Sequence, residues 1–157
     1  MTDNPKLNEL HTLLQKEKAD YAIHLHEFTL KSAAEGAKHF GISMSQTTPT
    51  LILQSHGQYF AAIICGDMRI SFKKLKKALN VDEISMADPQ TITRITGANI
   101  GEICLINPGM TTLIDQHVLH NVDCYGGCGV PKATLRINTQ DLIRITKAQV
   151  LDFAETR

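Results

Sequence analysis

Two β-rich runs, Leu51-Ile52-Leu53 and residues 59–64, are separated by Ser55-His56-Gly57-Gln58. A polar turn containing glycine between two such runs is the signature of an antiparallel hairpin. Parallel neighbours would instead need a crossover of about a dozen residues or more. This stretch therefore argues against a strict βαβ repeat and for adjacent strands mixed with helices.

The remaining segments supply those helices. Asp3, Asn4 and Pro5 form a helix start, and Leu7, Leu10, Leu13 and Leu14 recur at helical spacing as far as the charges at Lys16 and Lys18, predicting an N-terminal helix within residues 1–18. Tyr21, Ile23 and Leu25 alternate with Ala22, His24 and His26, a strand with one apolar and one histidine-bearing face. Ser32 followed by Glu35 is a capping box for a helix that ends at Gly41. Ser71 caps a helix whose Phe72, Leu75 and Leu79 face inward while Lys73, Lys74, Lys76 and Lys77 point out. A strand is expected over 83–87, then a helix from Asp88-Pro89 to Gly97. Short strands near Ile103, Leu113 and Val122, a glycine-rich turn at 126–129, a strand over 134–137, an Asn138-capped helix and a last strand near Val150 complete the pattern. The expected class is α+β, a mixed sheet or partial barrel with helices around it.

The 157 residues, 43% of them hydrophobic, match a single domain over 1–157 with a core that needs no metal or disulfide staple. Sixteen basic side chains balance sixteen acidic ones, which excludes broad clamping of duplex nucleic acid by charge. Cys65, Cys104, Cys124 and Cys128 are too few for a disulfide framework and read as reduced thiols. The charged N-terminus and the lack of a long apolar run predict a soluble, cytoplasmic chain with no membrane or DNA partner.

There is no nucleophile elbow, P-loop or dinucleotide fingerprint. Two glycine groups remain, Gly97 with Gly101, and Gly126 and Gly127 with Gly129. Clustered glycines can turn backbone amides toward an oxyanion or carbonyl; the plainer alternatives are a helix C-cap at Gly97 and an ordinary turn at 126–127. His24 with His26, His117 with His120, and Cys124 with Cys128 admit a metal or redox site, against the commoner roles of hydrogen-bonded imidazoles and small packed thiols. The four lysines after Ser71 form a face that either meets phosphates or is simply solvated.

Several motifs in sequence resemble the YbaK/ProX family of aminoacyl-tRNA editing domains, which also occur inserted in bacterial prolyl-tRNA synthetases. They are His24-Leu25-His26-Glu27, Gly41-Ile42 with Thr50-Leu51, the lysine-rich helix over 72–79, Met86-Ala87-Asp88-Pro89, the 97–101 loop, Leu113-Ile114-Asp115, Gly126-Gly127 and Asp141-Leu142. The resemblance covers about residues 21–153 and implies a strongly curved mixed sheet surrounded by helices. It also implies hydrolysis of the ester joining a wrong amino acid to the 3′ end of tRNA, with no cofactor and no metal. A pocket gains only about 10- to 200-fold discrimination from one methylene, so a separate hydrolytic check has a chemical reason to exist.

By the same resemblance, the loop ending at Gly101 positions the ester and His26 is a polar contact at the pocket. Thr48, Pro49, Thr50, Gly97, Gly126, Gly127, Gly129 and Thr134 border the substrate, and Lys73, Lys74, Lys76 and Lys77 meet the tRNA. The family carries a characteristic lysine directly before the Thr-Leu of its central strand; here that position is Pro49, which offers neither a charge nor an amide donor. The leading expectation is a trans-acting deacylase for a small mischarged amino acid, with mischarged tRNA and a synthetase as partners. A catalytically weakened binding module of the same fold is the alternative, and a metal or redox protein built on the cysteines and histidines is a third.

Overall fold

The structure is a computed structural model and describes residues 2–157. Helix α1 (Pro5–Lys16) starts where Asn4 accepts hydrogen bonds from the Lys6 and Leu7 amides, and it buries Leu7, Leu10 and Leu14. These leucines close a core cluster with Leu105, Ile114, Val118, Leu135 and Leu142. Strand β1 (Tyr21–Leu25) follows, its tip exposed at Leu25. Helix α2 (Ala33–Phe40) is capped by Ser32 and ends at Gly41 in the left-handed region. Glu35 reaches back one residue beyond the expected capping box, to the Lys31 amide.

The hairpin is present as β2 (Thr50–Ser55) and β3 (Gln58–Ile63), with Ser55 paired to Gln58 across His56 and Gly57, both at positive φ. It forms the centre of a five-stranded mixed sheet. Strand β5 (Ser85–Met86) lies antiparallel to β2, while β6 (Thr111–Asp115) and β9 (Gln149–Leu151) add parallel strands beyond β3. A second sheet has the order β1, β8 (Ala133–Asn138), β7 (Asp123–Gly127), all antiparallel. A third pairs β4 (Met68–Ile70) with β10 (Ala154–Thr156). Among the described residues the strands are thus divided among three sheets, and none closes on itself.

Helix α3 (Phe72–Leu79) buries Leu75 among Leu53, Phe60, Leu113 and Phe153. Helix α4 (Pro89–Thr96), capped by Asp88, sets Ile92 on Ile52, Ala61 and Ile103, and α5 (Thr139–Thr146) is capped by Asn138. No helix among the described residues is long and apolar enough to cross a membrane.

Four expectations change. The strand expected over 83–87 shrinks to Ser85–Met86, and the segment near Ile103 is a single bridge from Cys104 to Gly127 rather than a strand. Strands β4 and β10, three residues each, are additional. Gly126 and Gly127 are strand residues of β7, not a turn. Their reason for being glycine is close approach: a methyl on Gly126 would lie 2.6 Å from Leu105 Cγ, and one on Gly127 would run into the Ile103 carbonyl. The 102–105 segment can lie flat on β7 because both side chains are absent, bonded there through Leu105 N to Gly127 O at 3.1 Å and Gly129 N to Glu102 O at 2.8 Å.

Candidate active site

The chain entering β2 crosses from one sheet to the other. Thr47 bridges Tyr125 of β7, the Thr48 amide donates to Tyr125 O at 2.8 Å, and the Gly66 amide donates to Thr47 O at 2.7 Å. This crossing forms the floor of a cavity of about 440 Å³. Its walls are the 29–34 segment leading into α2, Gly101 and Glu102, the Tyr125-Gly126-Gly127 end of β7, and the 130–134 stretch that opens β8. A cleft of this size with a few convergent polar groups is the ordinary form of a small-ligand site.

His26 and Thr134 face each other on this wall because β1 and β8 are antiparallel neighbours, with His24 opposite Thr134 in register. His26 Nε2 lies 3.1 Å from Thr134 Oγ1, and Nδ1 lies 2.6 Å from the Phe28 carbonyl. A carbonyl oxygen only accepts, so Nδ1 carries the proton in the neutral ring. Nε2 is therefore the acceptor, and the Thr134 hydroxyl donates to it. A hydroxyl, a base and a group that orients the base thus stand in line at the cavity wall.

The residues singled out in the sequence divide into two sets. His26, Thr48, Pro49, Gly101, Gly126, Gly127 and Thr134 line the cavity together. Within that set, the Thr48 hydroxyl and amide are both taken up by Tyr125 O. Pro49 accepts from the Ile64 amide at 3.4 Å and offers no donor. Gly97 does not line the cavity; it is the C-cap of α4, and its carbonyl accepts from Lys6 Nζ. Gly129 faces a separate cavity of about 300 Å³, with Lys6, Cys104 and Cys128. Lys73, Lys74, Lys76 and Lys77 are exposed on α3 and absent from the cavity wall, and Lys74 pairs with Asp152 at 3.2 Å.

Thr50 is buried and does not line the cavity, whereas its strand neighbour Leu51 does, as alternation along a strand requires. Among the described residues its hydroxyl has no hydrogen-bond partner. Thr50→Val is accordingly expected to raise the thermal midpoint, by up to about 1 kcal/mol of stability, since an unpaired buried hydroxyl carries a desolvation penalty. A loss of activity with unchanged stability would instead mean that Thr50 touches substrate.

Sequence reasoning passed over the cations of the cavity, Lys31, Lys132 and Arg157, which outnumber its one acid, Glu102. Lys132 sits at φ 61, an uncommon conformation for a side chain of that size, and its carbonyl accepts from the His26 amide at 3.0 Å. Pro131 before it is the one local signal in the sequence.

The thiols are placed for packing. Burial pushes Cys65 up to about 12 and Cys104 up to about 11, and raises Cys124 and Cys128 as well, so all four are protonated at neutral pH. Among the described residues, no three His, Cys, Asp or Glu side chains converge in a way that could hold a metal. His117 and His120 are neighbours, but His117 Nδ1 is bound to Asp115 at 2.7 Å.

Residues 28–145 match the sequence profile of the aminoacyl-tRNA editing domain, three-quarters of the chain. The protein belongs to that family. Membership agrees with the resemblance read from the motifs. Sequence relatives include the proline-tRNA ligase of Trichlorobacter lovleyi, 39% identical over 72 residues, which are 45% of this chain and 12% of the ligase. The proline-tRNA ligase of Fervidobacterium nodosum is 26% identical over 103 residues, 66% of this chain and 18% of that protein. The editing-domain chain thus spans under a fifth of the length of these ligases. Among solved structures, a hypothetical protein superposes with a TM-score of 0.87 at 24% identity, covering 96% of this chain and 99% of the other. A protein described provisionally as a trans-editing enzyme for prolyl tRNA synthetase superposes with a TM-score of 0.86 at 19% identity, covering 98% and 99%. At these identities the likeness establishes the fold.

Proposed function

We propose that this domain is a trans-acting aminoacyl-tRNA deacylase that removes a small amino acid wrongly esterified to the 3′ end of a tRNA. The observation that carries this reading is the line from Thr134 Oγ1 through His26 to the Phe28 carbonyl at the cavity wall. Water held by the Thr134 hydroxyl attacks the ester carbonyl, and its proton passes to His26 Nε2. The C–O bond to the ribose breaks, and the same proton returns to the departing ribose oxygen. Lys31, Lys132 and Arg157 offset charge on the terminal phosphate and on the carbonyl oxygen as it gains charge. Gly101, at φ 90 with open space above its Cα, lets the loop approach the ester closely. The partners are mischarged tRNA, held by its acceptor end, and a synthetase for the same tRNA, which puts the activity in the cytoplasm.

A second reading, a module that binds aminoacyl ends without hydrolysis, is favoured by Pro49, which lines the cavity without charge or donor. Incubating the purified protein with a panel of mischarged tRNAs separates the two. Ester loss above the buffer rate for a small amino acid is expected. Tight binding without turnover would establish the module, and neither binding nor turnover on any tRNA would overturn both.

A further inference from the structure

Six aromatic rings form a connected ladder, of which His26, Phe40 and Tyr125 line the cavity. His24 and Tyr125 each lie 5.3 Å from Phe40, Phe40 lies 4.7 Å from His39, and His39 lies 5.2 Å from Phe28 and 5.6 Å from His26. The His39 contacts with Phe28 and Phe40 are edge-to-face, at 85° and 88°. The chain holds seven His, five Phe and three Tyr, so three of seven imidazoles and three of eight other rings fall in this one place. Core packing does not account for them: neither Phe28 nor Phe40 belongs to a buried hydrophobic cluster, and Phe28 is 53% exposed.

We infer that this ladder is the stacking platform for the unpaired 3′-terminal nucleotides of an RNA, and that Lys31 and Lys132 beside it take the phosphates. The inference rests on the deacylase reading and names how that site holds its partner. Exposed rings, here His24, Phe28 and His39, stack nucleobases of any sequence, provided the bases are not paired in a duplex. The charge fits the same occupant: a chain of zero net charge puts three cations and one acid on this cavity wall. The ladder also ends where the chemistry requires. His26, Phe40 and Tyr125 belong both to the rings and to the cavity wall, so a base stacked on the exposed rings outside delivers its ribose to the Thr134 hydroxyl.

The probe is a fluorescein-labelled 12-nucleotide single-stranded RNA ending in CCA, uncharged, followed by anisotropy at several salt concentrations. Phe28→Ala is expected to weaken binding about tenfold and Phe28→Trp to restore it, since stacking on one ring contributes about that much per base. Removing the terminal base to leave a bare ribose should produce a similar loss in the wild type and little further loss in Phe28→Ala. Lys31→Ala and Lys132→Ala should each reduce the slope of log affinity against log salt by about 0.7. Equal affinity of the abasic and intact RNAs, or of Phe28→Ala and wild type, overturns the platform. So does a Phe28→Ala effect confined to self-association, which would mean that a second copy of the chain covers the rings. Because the RNA carries no ester, a failure of deacylation leaves these outcomes readable. Conversely, a wild type that hydrolyses mischarged tRNA with a KM indifferent to Phe28 overturns the platform alone.

Discussion

Asp115→Ala is expected to lower the free energy of unfolding by several kcal/mol, since each buried donor left without a partner costs about 1–3 kcal/mol; for a domain of ordinary stability this removes a large part of the whole. Asp115 is fully buried at the end of β6, and each carboxylate oxygen has two donors. Oδ1 accepts from the Phe153 and Ala154 amides at 2.9 and 2.8 Å, and Oδ2 from the His117 amide and Nδ1 at 3.0 and 2.7 Å. Alanine leaves these donors without a partner in a place that water reaches poorly. The damage would spread to the site, because Phe153 leads into β10, which begins at Ala154 and is followed by Arg157 at the cavity.

The same carboxylate makes stability depend on pH in a fixed direction. Burial alone would raise its pKa, but the bonds from Phe153, His117 and Ala154 outweigh burial and hold it below the ordinary 3.8. Its contribution is therefore full above the unfolded value and is lost as pH falls through the lower folded one. Asp115→Asn keeps Oδ1 for two amides and turns an NH2 toward the His117 donors, so it should cost less than alanine. Urea unfolding at pH 7 and pH 3 checks this: the gap between wild type and Asp115→Asn should narrow in acid, and a constant gap would mean that Asp115 does not titrate with folding.

What the sequence made legible was what neighbours in sequence decide. Asn4, Ser32, Ser71, Asp88 and Asn138 were readable as helix starts because a cap bonds amides two or three residues on. The His56-Gly57 turn was readable because its geometry is local. Strands β4 and β10 were not, since each is three residues long and gains its partner some 86 positions away, Arg69 opposite Glu155. Gly126-Gly127 was misread for a related reason: the pair looks like a turn, and its real cause is the 102–105 segment lying against it. At the site, His26, Pro49, Gly101 and Thr134 could be named from motifs, yet the His26 to Thr134 bond depends on the register between β1 and β8. Nothing local distinguishes Lys31 from the lysines of α3, and only the preceding Pro131 marks Lys132. Only the fold puts Lys31 and Lys132 at the cavity and leaves the α3 lysines outside it.

His26→Ala is expected to lower kcat/KM for ester hydrolysis by about 10²–10⁴-fold, the usual contribution of a positioned general base, with little change in thermal midpoint because His26 lies outside the buried clusters. The size follows from the two ends of the ring acting in series. The Phe28 carbonyl at 2.6 Å fixes the proton on Nδ1, and only then is the Nε2 lone pair aimed at Thr134 at 3.1 Å. Thr134→Val should cost less than the loss of the base itself, since water could still reach Nε2 directly, and Thr134→Ser should retain most activity by keeping the hydroxyl. Single-turnover hydrolysis of a mischarged tRNA, with thermal unfolding of each variant, measures all three. If His26→Ala is folded and hydrolyses at the wild-type rate, water is activated from the substrate's side, by the neighbouring ribose hydroxyl. The enzyme's part would then reduce to positioning by the cavity and its cations. If instead Thr134→Val falls as far as His26→Ala while Thr134→Ser does not, direct access of water to Nε2 is excluded and the proton passes only through the hydroxyl that His26 Nε2 faces at 3.1 Å.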